Sequence, residues 1–404
     1  MECQICLGTK LHKFLSLGHQ PVPDVFLTEK ELNGPETYFP LDVYFCENCN
    51  LVQIGYVVNP NLLFKEYYYN TGTNKGLQRN FKKIVDLVVK RFSLSRGDLA
   101  IDIGSNDGTL LRNYKSYGIK VLGIDPSSVA DLAIKNGIPT VKDFFNENVA
   151  EQIIKESGYA KIITATNVFA HVDKLNSFVN GVTKLLTRDG VFITESHYLL
   201  DMITQLQYDS IYHEHLRYYS LKSLMYIFNK YNMDIFDAER ITTHGGSIRV
   251  YACRKGSRKI STNVKKLVNL ENKNGIYDRG TYDKFKSKVL SNKFELQTIL
   301  LKLKKEGKRI VGVGAPAKGN TLLNYCGIDA DILDYIIETS ALKIGKFTPG
   351  MNIPVVDESK LFSDQPDYAI LLSWNLKDML IHKLKRLGYK GKFVVPNPTP
   401  KIID

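Results

Sequence analysis

The sequence predicts an α/β protein, a doubly wound parallel sheet preceded by a small cysteine-bearing module and followed by a second, smaller α/β domain. Three observations carry that expectation. Helix and strand patterns alternate through residues 81–200, two Cys-x2-Cys pairs fall within the first fifty residues, and another strand, glycine turn and helix open at Arg309. At roughly 100 to 200 residues per domain, 404 residues accommodate two to four such units.

The first element is the pair of knuckles, Cys3-x2-Cys6 and Cys46-x2-Cys49. Each sets two thiols two residues apart, so that both sulfurs face one ion; four thiolates close a tetrahedral shell and leave no position open for catalysis. A structural Zn2+ is the expectation, and in small peptides such binding supplies roughly 10 to 16 kcal/mol. The stretch between the knuckles carries Pro21, Pro23, Pro35 and Pro40, so it wraps rather than disorders. Cys253 and Cys326 stand in apolar surroundings and read as core residues.

In the middle segment, residues 81–92 have helical periodicity, 99–103 form a short apolar strand, and a helix over 109–117 follows a glycine turn. Residues 121–124, 161–165 and 190–195 supply further strands. Ligands are then expected at the carboxyl ends of the strands. The first strand ends in DIGSNDGTLL (residues 102–111), where Gly104 and Gly108 allow a tight turn and close approach of a ligand to backbone. Asp125 ends the second strand, placed to accept hydrogen bonds from two ribose hydroxyls. After the third, Asp143 and Phe144 offer an acid and an aromatic to an adenine.

This series of acids resembles that of class I S-adenosylmethionine-dependent methyltransferases, although Asn106 stands where a glycine is common. The resemblance implies that Asp102, Gly104, Ser105, Asn106 and Gly108 hold the methionine part, Asp125 the ribose, and Asp143 with Phe144 the adenine. A NAD-binding domain and a purely structural glycine turn are the competing readings.

YHEHLRYYS (residues 212–220) places two imidazoles, a carboxylate and a phenol within four residues, beyond the sheet's later strands. The spacing is not that of a helical HExxH metal site, so acid/base chemistry is the better reading, with a bland loop or core histidine as the alternative. Together with DIGSNDGTLL, NVFAHV (167–172), HGGSIR (244–249), GVGAPAKGNTLLNY (312–325) and the cysteine knuckles, the string resembles the sugar C-methyltransferases that act on nucleotide-linked keto sugars. The resemblance spans nearly the whole chain. It implies methyl transfer from S-adenosylmethionine to C3 of a 4-keto-6-deoxy sugar carried by a nucleotide, with dTDP the expected one. His215 would be the base, with Tyr212, Glu214, His171 and either Tyr67 or Tyr69 beside it and Asn167 near the cofactor. The two tyrosines are equally readable as a packing patch. His244, Gly245, Ser247 and Arg249 would meet the substrate. The family pattern carries a proline before Tyr198, where this chain has His197.

Residues 261–306 read as a helical connector. The GxGxxA spacing from Gly312 then matches a dinucleotide fingerprint, a weak signal alone. By the resemblance, this Rossmann-like domain faces the nucleotide of the sugar donor, so that Gly314, Lys318, Asn320 and Trp374 become substrate contacts. The expected domains are a zinc-binding module over 1–66, a methyltransferase domain over 67–259, and connector plus nucleotide-sugar domain over 260–404. A NAD-dependent nucleotide-sugar oxidoreductase and a zinc-containing nucleic-acid-binding protein stand as alternatives.

A net charge of +12 suits nucleic acid or small phosphorylated anions alike. Much of it lies in residues 255–273 and 377–392, which read as solvated helix faces, so nucleic acid is not an expected partner. With 23 Tyr and 19 Phe, global disorder is excluded. No apolar run approaches the roughly 18 residues of a spanning helix, and the first residues lack a signal pattern. The expectation is a cytoplasmic enzyme without membrane partners, compatible with a monomer.

Overall fold

The computed structural model describes residues 1–64, 71–73 and 75–404. The alternation of apolar and polar residues in the first fifty gives three antiparallel strands, β1 (Leu11–Pro21), β2 (Tyr38–Cys46) and β3 (Val52–Ile54). The middle segment supplies β4 (Leu99–Ile103), β5 (Lys120–Ile124), β6 (Thr140–Val141), β7 (Ala160–Thr166), β8 (Leu186–His197), β9 (Arg217–Tyr218), β10 (Met233–Ile241) and β11 (Ser247–Arg254). All but β9 join one sheet in the order β10-β11-β8-β7-β4-β5-β6. β4 to β8 are parallel, and β11 is inserted antiparallel beside β8. This is the class I methyltransferase topology. Chain direction across the sheet reverses between β4 and β7, and the crevice at that reversal is where open α/β sheets bind ligands.

β9 departs from the sheet of its neighbours. It pairs antiparallel with β3, Val52 against Tyr218 and Gln53 against Arg217, and becomes the fourth strand of the N-terminal sheet.

The connector forms helices Thr262–Lys273 and Arg279–Lys305. The second buries Tyr282 between Phe14 and Phe45, with ring centroids 4.9 and 4.4 Å away, and so packs against the N-terminal module. The last sheet comprises β12 (Ile310–Val313), β13 (Ile336–Glu338), β14 (Val355–Asp357), β15 (Tyr368–Leu371), β16 (Lys392–Val395) and β17 (Lys401–Ile403). Its order is β14-β13-β12-β15-β16-β17, parallel except for β17, with the reversal between β12 and β15.

One contiguous core runs from Cys3 through the central sheet to Val394, so the three units pack as one body. The loop after β1 also docks on the last unit: Leu27 and Phe347 form a backbone bridge, and the Gly350 amide donates to Glu36. Among the described residues no helix is long and apolar enough to cross a membrane.

Candidate active site and zinc centre

The four knuckle sulfurs all lie within 4.8 Å of one another, with Cys3 to Cys49 at 3.4 Å and Cys6 to Cys46 at 3.6 Å. A tetrahedral Zn2+ with sulfurs at about 2.3 Å sets them roughly 3.8 Å apart, so the residues fit the ion. Gly8 closes its knuckle tightly, since a Cβ there would stand 2.3 Å from the Asn48 side chain.

The carboxyl ends of β4 and β7 and those of β12 and β15 open onto the same cavity of about 770 Å3. Both reversal points therefore share one space, and Asp24 of the N-terminal module also lines it.

At the first end stand Asp102, Gly104, Ser105, Asn106, Asp125, Asp143, Phe144 and Asn167. Gly104 has φ +71°, and a Cβ there would meet Val168 Cγ2 at 2.3 Å, so the turn can pass only as glycine. Asn106 takes φ +51°, a left-handed conformation that asparagine tolerates, and this is how the turn forms without the expected glycine. Asp125 braces it, its Oδ2 accepting the Asn106 amide at 2.8 Å and its Oδ1 the Ser127 amide at 2.9 Å. Burial pushes Asp102 up to about 7, opposed by the Thr164 hydroxyl, which donates at 2.5 Å, and reinforced by the nearby Asp125. The buried Ser105 Oγ has no hydrogen-bond partner among the described residues. An open loop with a buried acid and an unmet hydroxyl fits a ligand carrying an ammonium group and sugar hydroxyls, as S-adenosylmethionine does. Gly108, at φ +75°, instead starts helix Thr109–Ser116 against Ile138, away from the cavity wall.

The same cavity is lined by His171, Tyr212, Glu214 and His215. His215 Nδ1 faces the Ser210 carbonyl at 3.0 Å. A carbonyl only accepts, so Nδ1 carries the proton and Nε2 presents its lone pair. The Tyr212 hydroxyl lies 3.1 Å from that Nε2 and donates to it. Burial pushes the Glu214 carboxyl up to about 8; Asp24 adds to the shift and Lys343 opposes it. Lys343 joins the units by donating to Asp24 at 3.2 Å and to the Ala315 carbonyl at 2.8 Å. Burial lowers His171 to about 4, against the carbonyls of Glu214 and Asn167, so it is neutral near pH 7. His213 turns out of the site and packs on Phe39, 5.8 Å between centroids. Tyr67, Tyr69 and the side chain of His244 lie outside the described residues.

At the far end Lys318, Ser373 and Asn375 line the wall, and Lys318 donates to the Asn375 side chain. The other expected substrate contacts stand elsewhere. Arg249 is buried in ion pairs with Glu195, at 2.5 Å, and Glu239, at 2.9 Å. Ser247 is buried and donates to the Thr243 carbonyl, and the Gly245 carbonyl accepts from Gln207. Gly314, at φ +77°, turns the chain beside Ser373. Asn320 is buried and donates to Pro23 O of the N-terminal module at 2.6 Å, and Trp374 Nε1 donates to Asp209 at 2.6 Å. Their polarity serves the seams between units. The acid that ends β13 is also engaged: Glu338 accepts the amides of Ala315, Thr339 and Ser340, where a dinucleotide fold would leave it for a ribose.

Sequence reasoning missed His197, Asp24 and Lys343, all of which line the cavity. His197 stands 5.0 Å from His215 between ring centroids, and His171 4.9 Å from it. Its place at the carboxyl end of β8 was the available signal. Asp24 and Lys343 come from loops far apart in sequence, and nothing local marks them.

Residues 3–64 match a family model described as a zinc binding domain, 77–237 a methyltransferase domain and 242–398 a C-methyltransferase C-terminal domain. C-methyltransferase NovU of Streptomyces niveus is 33% identical over 406 residues, which cover 100% of this chain and 97% of that protein. Among solved structures, magnesium protoporphyrin IX methyltransferase from Synechocystis PCC 6803 is 18% identical with a TM-score of 0.35, covering 45% of this chain and 84% of that one. A methyltransferase from Clostridium acetobutylicum ATCC 824 is 13% identical with a TM-score of 0.34, covering 44% and 92%.

Proposed function

Because the chain belongs to the S-adenosylmethionine-dependent C-methyltransferase family, we propose that it methylates a sugar carbon, C3, of a nucleotide-linked 4-keto-6-deoxy sugar, with dTDP the expected nucleotide and His215 the base. The observation that carries this reading is the fixed His215 tautomer, in a residue that lines one cavity together with the acidic loop of β4 and Lys318.

A hydrogen beside a ketone is acidic only when the enolate oxygen is stabilised. Nε2 of His215 takes the C3 proton while the electron pair moves to the C4 oxygen. Tyr212, released from Nε2 as substrate enters, and the protonated Glu214 supply hydroxyl donors to that oxygen. Neutral His171 keeps a second positive charge away from the imidazolium that forms. When bound, S-adenosylmethionine supplies an electrophilic methyl; the residues of the β4 and β5 loops orient it toward the cavity centre. Lys318 and the amino end of helix Ala317–Cys326 suit the donor's diphosphate, and the nucleotide lies toward the last unit.

Incubation with S-adenosylmethionine and a panel of nucleotide 4-keto sugars tests the proposal by mass spectrometry. One member should gain one methyl in place of hydrogen on its sugar. Methylation of oxygen or nitrogen, or of none of the panel, would sink it.

A further inference from the structure

One wholly buried carboxylate crosses from the central unit into the last one. Asp209 sits in the single turn Tyr208–Ser210, and its Oδ2 accepts the Trp374 indole N–H at 2.6 Å. Trp374 lies between the cavity residues Ser373 and Asn375, and the Lys318 ammonium stands 5.0 Å from the centroid of its ring. Asp209 also favours the charged form of Lys318 against its burial. One residue further along, the Ser210 carbonyl receives Nδ1–H of His215 at 3.0 Å.

The turn has little freedom between these attachments. The Ser210 amide donates to Gln207 O and the Ile211 amide to Tyr208 O, both at 3.1 Å, and the Tyr208 hydroxyl is fixed on Asn292 at 2.8 Å. Burying a carboxylate carries a desolvation cost that a mere connecting turn has no need to bear. The indole N–H it accepts and the field of Lys318 that it feels both come from the last unit.

We propose that Asp209 and Trp374 are positioning residues that transmit the placement of the last unit to His215, holding the Ser210 carbonyl where it fixes the base as the Nδ1–H tautomer. The catalytic meaning of this rests on the reading of His215 as the base. The tautomer itself does not, so the two can fail separately.

Nitrogen NMR of protein labelled with 15N-histidine near pH 7 gives the test, with His215→Asn identifying the His215 signals. The unmodified protein should show His215 with the proton on Nδ1; a proton on Nε2 overturns the proposal. Trp374→Phe, which keeps an aromatic ring of smaller size and removes the donor, and Asp209→Asn should both give mixed tautomers. Exchange of the sugar C3 hydrogen should slow roughly tenfold or more, with KM little changed, as expected when an imidazole loses its orienting partner. Folded variants that keep the single tautomer and the full rate overturn the proposal, and so does loss of folding in both, which would assign these residues to packing. Full C3 exchange in His215→Asn, with the tautomer pattern as expected, would remove the base and leave the relay.

Discussion

Ile54 donates its amide to the carbonyl of Leu216 at 3.0 Å, and Leu216 follows His215 directly in the chain. The Leu216 amide in turn donates to Ala170 O, also at 3.0 Å, beside His171. Backbone from the zinc module is thus stitched to the two loops carrying the candidate base and its neighbouring imidazole. Arg217 adds hydrogen bonds to the carbonyls of Val172 and Asp173.

Metal removal should therefore reach the base. Chelation, or Cys46→Ser, is expected to raise the hydrogen-exchange rate of the Ile54 and Leu216 amides and abolish methyl transfer. The β4 loop, braced by Asp125 of the same unit, should still bind S-adenosylmethionine in calorimetry. Slow exchange at both amides in metal-free protein would refute the link.

His215→Asn should leave S-adenosylmethionine affinity unchanged and lower C3 exchange in deuterated water by about 10² to 10⁴, the range typical of a positioned general base. Persistent exchange would remove His215 from that role.

His213 gives a pH dependence that can be isolated. Burial pushes its pKa down to about 4, while the unfolded imidazole titrates near 6.5. The unfolded chain binds the proton first, so stability is full above pH 6.5 and declines as pH falls toward 4, by at most about 3 kcal/mol. Glu214 and Asp102, with raised values, act oppositely and lose stability as pH rises through about 8 and 7. In His213→Phe only the histidine contribution disappears. Its denaturation midpoint relative to the unmodified protein should climb between pH 7 and 4.5, and a constant difference would show that His213 does not titrate there.

Gly104→Ala should weaken S-adenosylmethionine binding at least tenfold in calorimetry, since the new methyl group enters Val168 and the left-handed backbone costs roughly 1 to 2 kcal/mol. Adding Val168→Ala should restore part of the loss by removing the clash. An unchanged affinity in Gly104→Ala would mean that the turn does not approach the ligand.

What could be read in the sequence was local. The acids at the ends of β4 and β5 follow apolar strands at short range, and the cysteine spacing is a ligand pattern in itself. The helix expected over residues 81–92 begins earlier, at Lys75, because the polar residues ahead of Phe81 continue its exposed face. β9 was not legible: a two-residue strand has no period, and its partner lies more than 160 residues away. A motif such as HGGSIR reads as a set of ligand contacts, yet Gly246 is needed there because a Cβ would stand 2.4 Å from the Asp201 carboxyl carbon. A packing constraint of that kind looks in sequence like a binding motif.

The pairing of β3 with β9 also bears on biosynthesis. The cysteines leave the ribosome well before β9, so the sheet behind them lacks its outer strand until Tyr218 has been made, and its docking loop waits for Phe347. The module that begins the chain is among the last to be completed, and pairings of such long sequence separation form slowly. A nascent chain halted before residue 217 would contain the metal ligands and the acidic loop while leaving the outer edge of β3 open.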